Sequence, residues 1–207
     1  MGSGIRIQGV LGDDGMLVVR PDGLQPPGLG APLVALDRDG TLIEWVPHLR
    51  DPRDVRLIPG AAEAVAALVE EGCTVVIVTN QSVVGRGLLS MAGLSEISEL
   101  IHQKLGTDGI GVAATYICPH APNQGCPCRK PGIAMLQAAW DEWAADRMRT
   151  WVVGDNPSDM LMAQRANVRG IRVMTGIRDA ATLSSSIQEV PSVVEAADTI
   201  RKALRAW

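Results

Sequence analysis

The sequence predicts an α/β fold built on a Rossmann-like, doubly wound parallel sheet. Two observations predict it. From residue 33 onward, short apolar runs rich in β-branched residues alternate with segments of helical periodicity, the pattern of a parallel sheet with helices on both faces. Every core run except the last ends in polar residues able to do chemistry, and in such folds ligands bind beyond the carboxyl ends of the strands. A length of 207 residues suits one ordinary domain and is tight for two.

Residues 5–20 hold two short apolar stretches around an Asp/Gly turn, a hairpin signal. Pro and Gly dominate 21–32, which reads as a connector. The chain is therefore expected to divide into an N-terminal β-hairpin and connector (1–32) and a main domain (33–207). The first core strand is 33–37. Helical spacing over 61–71 stops at Gly72, suited to a left-handed helix end. Residues 74–79, Thr-Val-Val-Ile-Val-Thr, form a continuous β-branched run, as expected of a strand covered on both faces. A helix over 91–105 and a strand over 112–117 follow. The Pro/Gly/Cys-rich segment 118–132 is a loop, and a tryptophan-bearing helix spans about 133–146. Strands at 150–154 and 170–174 flank a helix at about 158–167, and 191–206 closes as an amphipathic helix. No obvious insertion separates these elements, so the fold is expected to be capless, with a site open to small metabolites.

Composition excludes several function classes. Hydrophobic residues make up 46% and charged residues 20%, which sets aside disorder and fibrous classes. The net charge of −4, with a pI near 5.4, offers no basic excess to displace counterions, so nucleic-acid binding is not expected. No apolar run reaches the roughly 18–20 residues that span a bilayer, and Met1-Gly2-Ser3-Gly4 carries no secretory pattern. A cytoplasmic location without membrane attachment is the expectation. Phe is absent and Tyr116 is the only tyrosine, so the core must rest on aliphatic residues, Met and five Trp.

The strand ends hold the chemistry. Asp37 and Asp39 lie two apart, with Gly40 allowing a sharp turn. Two close carboxylates repel unless a cation or a shared proton intervenes. Asp155, at another strand end, completes an oxygen-rich set suited to a hard cation such as Mg²⁺. Taken alone, Asp-x-Asp-Gly is also a common turn. Thr79 and Asn80 suit phosphate oxygens but also cap helices. Arg129-Lys130 can neutralise a phosphoryl group or form a solvated basic pair.

Cys118-x-His120-x5-Cys126-x-Cys128 is a more specific signal. Three thiolates and one imidazole make a closed tetrahedral Zn²⁺ set with no position left for water, so the loop 118–131 is expected to hold a structural zinc. Cys73, outside this cluster, reads as a small core residue.

Asp37-Arg38-Asp39-Gly40-Thr41-Leu42, Thr79-Asn80-Gln81-Ser82, Lys130 and Gly154-Asp155-x3-Asp159 stand in the order of the four motifs of haloacid dehalogenase superfamily phosphatases, which this sequence resembles from about residue 33 to 175. The Cys-x-His…Cys-x-Cys-Arg-Lys-Pro loop narrows the resemblance to the branch that acts on heptose bisphosphate and histidinol phosphate. The resemblance implies Asp37 as the nucleophile that forms an aspartyl-phosphate. It implies Asp39 as the acid that protonates the leaving sugar oxygen and then activates water. Mg²⁺ is then held by the Asp37 carboxylate, the Asp39 carbonyl and Asp155, with Asp159 one layer out and Asn156 an outer contact. Thr79 and Asn80 bind the phosphoryl group in a turn shared with Gln81 and Ser82, Lys130 offsets its charge, and Arg129 reaches the substrate.

Two positions depart from the branch. Val83 stands where Gly is expected, although Arg86-Gly87 follows in the familiar place. The segment 44–50 lacks a Gly-Tyr pair, which makes Trp45, His48 and Arg50 specificity candidates. The expected activity is a Mg²⁺-dependent phosphatase acting on the 7-phosphate of a heptose 1,7-bisphosphate, as a monomer or weak dimer. Histidinol phosphate or another small metabolite is the alternative substrate, and a zinc-stabilised interaction domain the non-enzymatic alternative.

Overall fold

A computed structural model describes residues 7–12, 15–22, 27–106, 111–176 and 187–207. Among the described residues, eight strands form one sheet in the order β1-β2-β5-β4-β3-β6-β7-β8. They are β1 (Ile7–Leu11), β2 (Leu17–Pro21), β3 (Pro32–Leu36), β4 (Thr74–Asn80), β5 (Ala114–Cys118), β6 (Asp146–Gly154), β7 (Arg169–Val173) and β8 (Gln188–Val190). Strands β3 to β8 pair in parallel. The chain winds outward from β3 through β4 to β5, then crosses back to β6 on the other side of β3, which is the doubly wound order.

Alternation along the strands divides the core into two layers. Val34, Leu36, Val75, Ile77 and Val153 face α1 (Ala61–Glu70), α3 (Met91–Leu105) and α6 (Val193–Arg205). Leu33, Ala35, Val76, Val78 and Val152 face α4 (Ala134–Trp143) and α5 (Pro157–Ala166). With Phe absent, Trp151 supplies the large buried ring of the first layer and Trp140 and Tyr116 those of the second. Cys73 is buried in the first layer. Gly72 has φ +83°, and the Gly72 and Cys73 amides donate to the carbonyls of Val69 and Leu68, closing α1.

The hairpin β1–β2 joins the same sheet, with β2 antiparallel to β5. Leu17 and Val19 pack with Leu94 and Ile117, while Met16 and Val18 join the opposite layer. Arg20 forks onto Glu142, which also accepts from the Tyr116 hydroxyl at 2.7 Å. Ile5, Arg6, Asp13 and Asp14 of the expected hairpin lie outside the described residues.

Several boundaries differ from the sequence expectation. The helix placed at 133–146 ends at Trp143, because Ala144 turns into the left-handed region (φ 45°) and its amide donates to Trp140 O. The following strand starts at Asp146, four residues early; its first half is exposed, so no apolar run marks it. The three-residue β8 and the one-turn α2 (Ser82–Gly85) are too short for periodicity to register. Among the described residues, no helix is long and apolar enough to cross a membrane.

Candidate active site

The carboxyl ends of β4, β3 and β6, three neighbouring strands at the crossover, bring the site together. Asp37 leaves β3 with its amide donating to Val153 O of β6. Asp155 follows β6, and Asp159 sits in the first turn of α5. There Asp159 Oδ2 accepts from the Asn156 amide at 3.1 Å in a capping box. A Cβ at Gly154 would collide with the Asp159 carboxylate, so only glycine fits that strand end. Oxygens of Asp37, Asp155 and Asp159 lie within 4.8 Å of one another, all three residues buried.

Lys130 enters this acidic centre from the loop after the cysteines. Its ammonium donates to Asp37 Oδ1 at 2.6 Å and Val78 O at 2.8 Å and lies 2.6 Å from Asp159 Oδ1, which matches its three protons. Burial disfavours its charge, but Asp159 and Asp37 outweigh that and raise its pKa. Burial pushes the Asp37 carboxyl up to about 7, with Lys130 opposing and Asp159 and Asp39 adding to the rise. Asp159 is raised for the same first reason. Fully ionised, three carboxylates against one ammonium leave two negative charges in a dry pocket. Hard oxygen donors with that deficit fit a divalent cation such as Mg²⁺.

Asp39 lines the same cleft, but its carboxylate turns away from the other three. Arg38 donates to it through Nε (3.0 Å) and Nη2 (2.9 Å), and Gln81 Nε2 donates at 2.7 Å. The cleft, about 180 Å³, is lined by Asp37, Asp39, Thr79, Asn80, Gln81, Ser82, Lys130 and Asp155, with Trp45 and His48 on its outer side. Trp45 is 50% exposed, and His48 has φ 52°. The Asn80 side chain grips the Lys130 backbone, accepting from its N–H at 3.0 Å and donating to its carbonyl at 3.2 Å. Arg129 does not line the cleft; its Nη1 lies 3.4 Å from His120 O in the cysteine loop. Arg38, which sequence reasoning passed over, does line it; the available signal was a cation placed between two strand-end carboxylates.

Below the cleft, Cys118, His120, Cys126 and Cys128 converge. Cys118 Sγ lies 3.5 Å from Cys126 Sγ and 3.6 Å from His120 Nδ1, and Cys128 Sγ lies 3.3 Å and 3.6 Å from His120 Nδ1 and Cys126 Sγ. A tetrahedron with the usual Zn–S and Zn–N lengths has edges of about 3.5–3.8 Å, so the spacing fits. Hydrogen bonding from Cys128 lowers the Cys118 thiol to about 5, while the same contact raises Cys128. Gly15 of the hairpin (φ 74°) packs on the His120 ring, where any side chain would collide.

A family model described as HAD-hydrolase-like matches residues 127–203. Over 131 residues the chain is 35% identical to a probable D-glycero-D-manno-heptose-1,7-bisphosphate 7-phosphatase of Thermoplasma volcanium, covering 63% of this chain and 90% of that protein. It is 34% identical to the D-glycero-β-D-manno-heptose-1,7-bisphosphate 7-phosphatase of Pseudomonas aeruginosa, covering 70% and 82%. The D,D-heptose 1,7-bisphosphate phosphatase of Bordetella bronchiseptica, solved with magnesium and phosphate, superposes with a TM-score of 0.77 at 30% identity, covering 83% of this chain and 99% of that one. A putative HAD-like phosphatase from Mesorhizobium loti superposes at 0.80 with 25% identity over 95% and 98%. The doubly wound sheet, its acidic strand ends and these relatives together place the chain in the haloacid dehalogenase-like hydrolase family.

Proposed function

We propose that this chain is a Mg²⁺-dependent phosphatase that hydrolyses the 7-phosphate of D-glycero-D-manno-heptose 1,7-bisphosphate through an aspartyl-phosphate. The observation that carries the reaction type is the buried Asp37–Lys130–Asp159 arrangement beside Asp155, at the carboxyl ends of neighbouring strands. The relatives carry the substrate.

Asp37 is the nucleophile. Its Oδ attacks phosphorus, forming the Asp37 O–P bond as the sugar O–P bond breaks. Asp39 gives its proton to the departing sugar oxygen, then takes one from the water that cleaves the aspartyl-phosphate. Thr79 donates to the phosphoryl oxygens. Asn80, Gln81 and Ser82 shape the turn around them, and Lys130 offsets their charge. Asp37, Asp155 and the Asp39 carbonyl would hold Mg²⁺, with Asp159 orienting Lys130 beside them. That ion, when bound, supplies the positive charge that lets an anionic ester approach an anionic nucleophile. Trp45 and His48, which line the cleft, are the nearest candidates for contact with the sugar; Arg50, just outside the lining, is a further specificity candidate, and Arg129 is the candidate for the outer phosphate.

Cys118, His120, Cys126 and Cys128 would hold a structural Zn²⁺ that stiffens the loop delivering Lys130. Thiolate ligation suits a reducing cytoplasm, and we place the protein there as a monomer or weak dimer. Phosphate release from heptose 1,7-bisphosphate and from histidinol phosphate, with and without Mg²⁺, tests the reading. Turnover is expected on the heptose ester and only with Mg²⁺. Faster turnover of histidinol phosphate reassigns the substrate, and no turnover on either sinks the enzyme reading.

A further inference from the structure

Arg38 has a carboxylate on either side in sequence, yet it pairs with only one of them. Its guanidinium is 2% exposed, a costly placement for a charge unless its partners are fixed. Nε and Nη2 fork onto the two oxygens of Asp39, and Nη1 is buried without a hydrogen-bond partner among the described residues. Gln81 is 5% exposed and brings a second tie. Its amide nitrogen has two protons, one directed to Asp39 Oδ2 at 2.7 Å and the other to Thr79 Oγ1 at 2.8 Å. Because a carboxylate only accepts, the amide orientation follows from chemistry.

We propose that Arg38 and Gln81 form a clamp that positions Asp39 as the proton donor to the leaving oxygen, an assignment that rests on the phosphatase reading above. Lone-pair counting names the atom. Oδ2 accepts from Arg38 Nε and Gln81 Nε2 and is saturated, whereas Oδ1 accepts from Arg38 Nη2 alone. The transferable proton therefore sits on Oδ1, and it passes to the sugar oxygen as that oxygen takes the electron pair of the breaking P–O bond. The same Gln81 amide gives Thr79 Oγ1 an acceptor role toward Gln81, which leaves the Thr79 proton free to donate to the phosphoryl group. One glutamine thus sets both the acid and a phosphate-binding hydroxyl. Arg38 and Gln81 are positioning residues: neither needs to touch the ester.

The test uses the full chain with Mg²⁺ and Gln81→Met and Arg38→Met, with Thr79→Val as a comparison and circular dichroism to verify folding. A sugar phosphate leaves as an alkoxide and needs the proton; p-nitrophenyl phosphate leaves as a stable phenolate and does not. Values of kcat/KM report the first phosphoryl transfer, before water enters. Arg38→Met is expected to lose about tenfold or more on heptose bisphosphate and less than about threefold on p-nitrophenyl phosphate, whereas Gln81→Met, which also disturbs Thr79, is expected to lose on both esters but at least about threefold more on the heptose bisphosphate. Thr79→Val is expected to lose equally on both. Equal losses on the two esters in the clamp variants, or no loss on either, overturn the clamp while leaving the phosphatase reading intact. Wild-type protein inactive on both esters overturns the phosphatase reading itself, and the clamp with it.

Discussion

Replacing Asp37 with Asn is expected to give a dead enzyme that is more stable than its parent in Mg²⁺-free buffer. Asn resembles the protonated carboxyl: it keeps an oxygen for Lys130 and removes a charge buried beside Asp159. Burial holds the folded pKa of Asp37 near 7 against 3.8 for the free group. The folded protein therefore binds an extra proton between these values. The stability associated with Asp37 is intact below pH 3.8 and is lost as pH rises through 7. A rise of about three pH units corresponds to about 4 kcal/mol above pH 7 and to less than half of that at pH 5. Urea unfolding at pH 7.5 and 5.0, zinc retained and Mg²⁺ omitted, reads this directly. Asp37→Asn should be the more stable protein at pH 7.5, by an amount on the order of a few kcal/mol, with the gap narrowing at pH 5. Added Mg²⁺ should also narrow it by binding the wild-type carboxylate more tightly. A variant no more stable than wild type at pH 7.5, or a gap independent of pH, would refute the account of the buried charge. Phosphate release should vanish throughout.

His102 is buried, with Thr115 Oγ1 2.8 Å from Nε2, and burial lowers its pKa to about 4. Its contribution is complete above the unfolded value of about 6.5 and is lost as pH falls toward 4; His102→Gln should remove about 2 kcal/mol of the stability difference between pH 7.5 and 5.0, seen in urea midpoints. Cys118→Ser should reduce bound zinc from about one per chain to near none by elemental analysis, and should lower turnover by freeing the loop that carries Lys130. Full zinc occupancy in that variant would count against the four-ligand set. The Gly176 backbone lies against the Asp155 carboxylate, where a Cβ would collide, and Thr175 Oγ1 donates to Gly40 O at 2.6 Å. Gly176→Ala should therefore displace Asp155 and weaken Mg²⁺ binding by about tenfold or more in calorimetry, with urea stability in Mg²⁺-free buffer little changed.

The strands buried on both faces were legible because burial demands continuous apolar runs, as in Thr74–Asn80. The exposed first half of β6 and the short β8 bury too little to leave such a trace. Acidic strand ends were legible for a related reason: polar residues directly after a buried run stand out. What each side chain does there was not. Asn80 reads as a phosphate ligand, yet its amide pairs with the Lys130 backbone fifty residues away. Arg129 and Lys130 stand as adjacent cations in the sequence, Lys130 expected to offset the phosphoryl charge and Arg129 to reach the substrate. One ammonium is enclosed by two carboxylates, while the neighbouring guanidinium turns to the cysteine loop.

The sequence by itself determined the doubly wound core, the acidic strand ends and the cysteine–histidine cluster, because each depends on local order or short spacing. Only the tertiary structure decided that three aspartates from β3, β6 and α5 meet around Lys130, that the hairpin extends the sheet over β5, and that Arg38 and Gln81 grip Asp39. Those arrangements depend on how far apart in sequence the partners lie and which way each side chain turns. Both are set by the crossing of the sheet and by the need to neutralise buried charge.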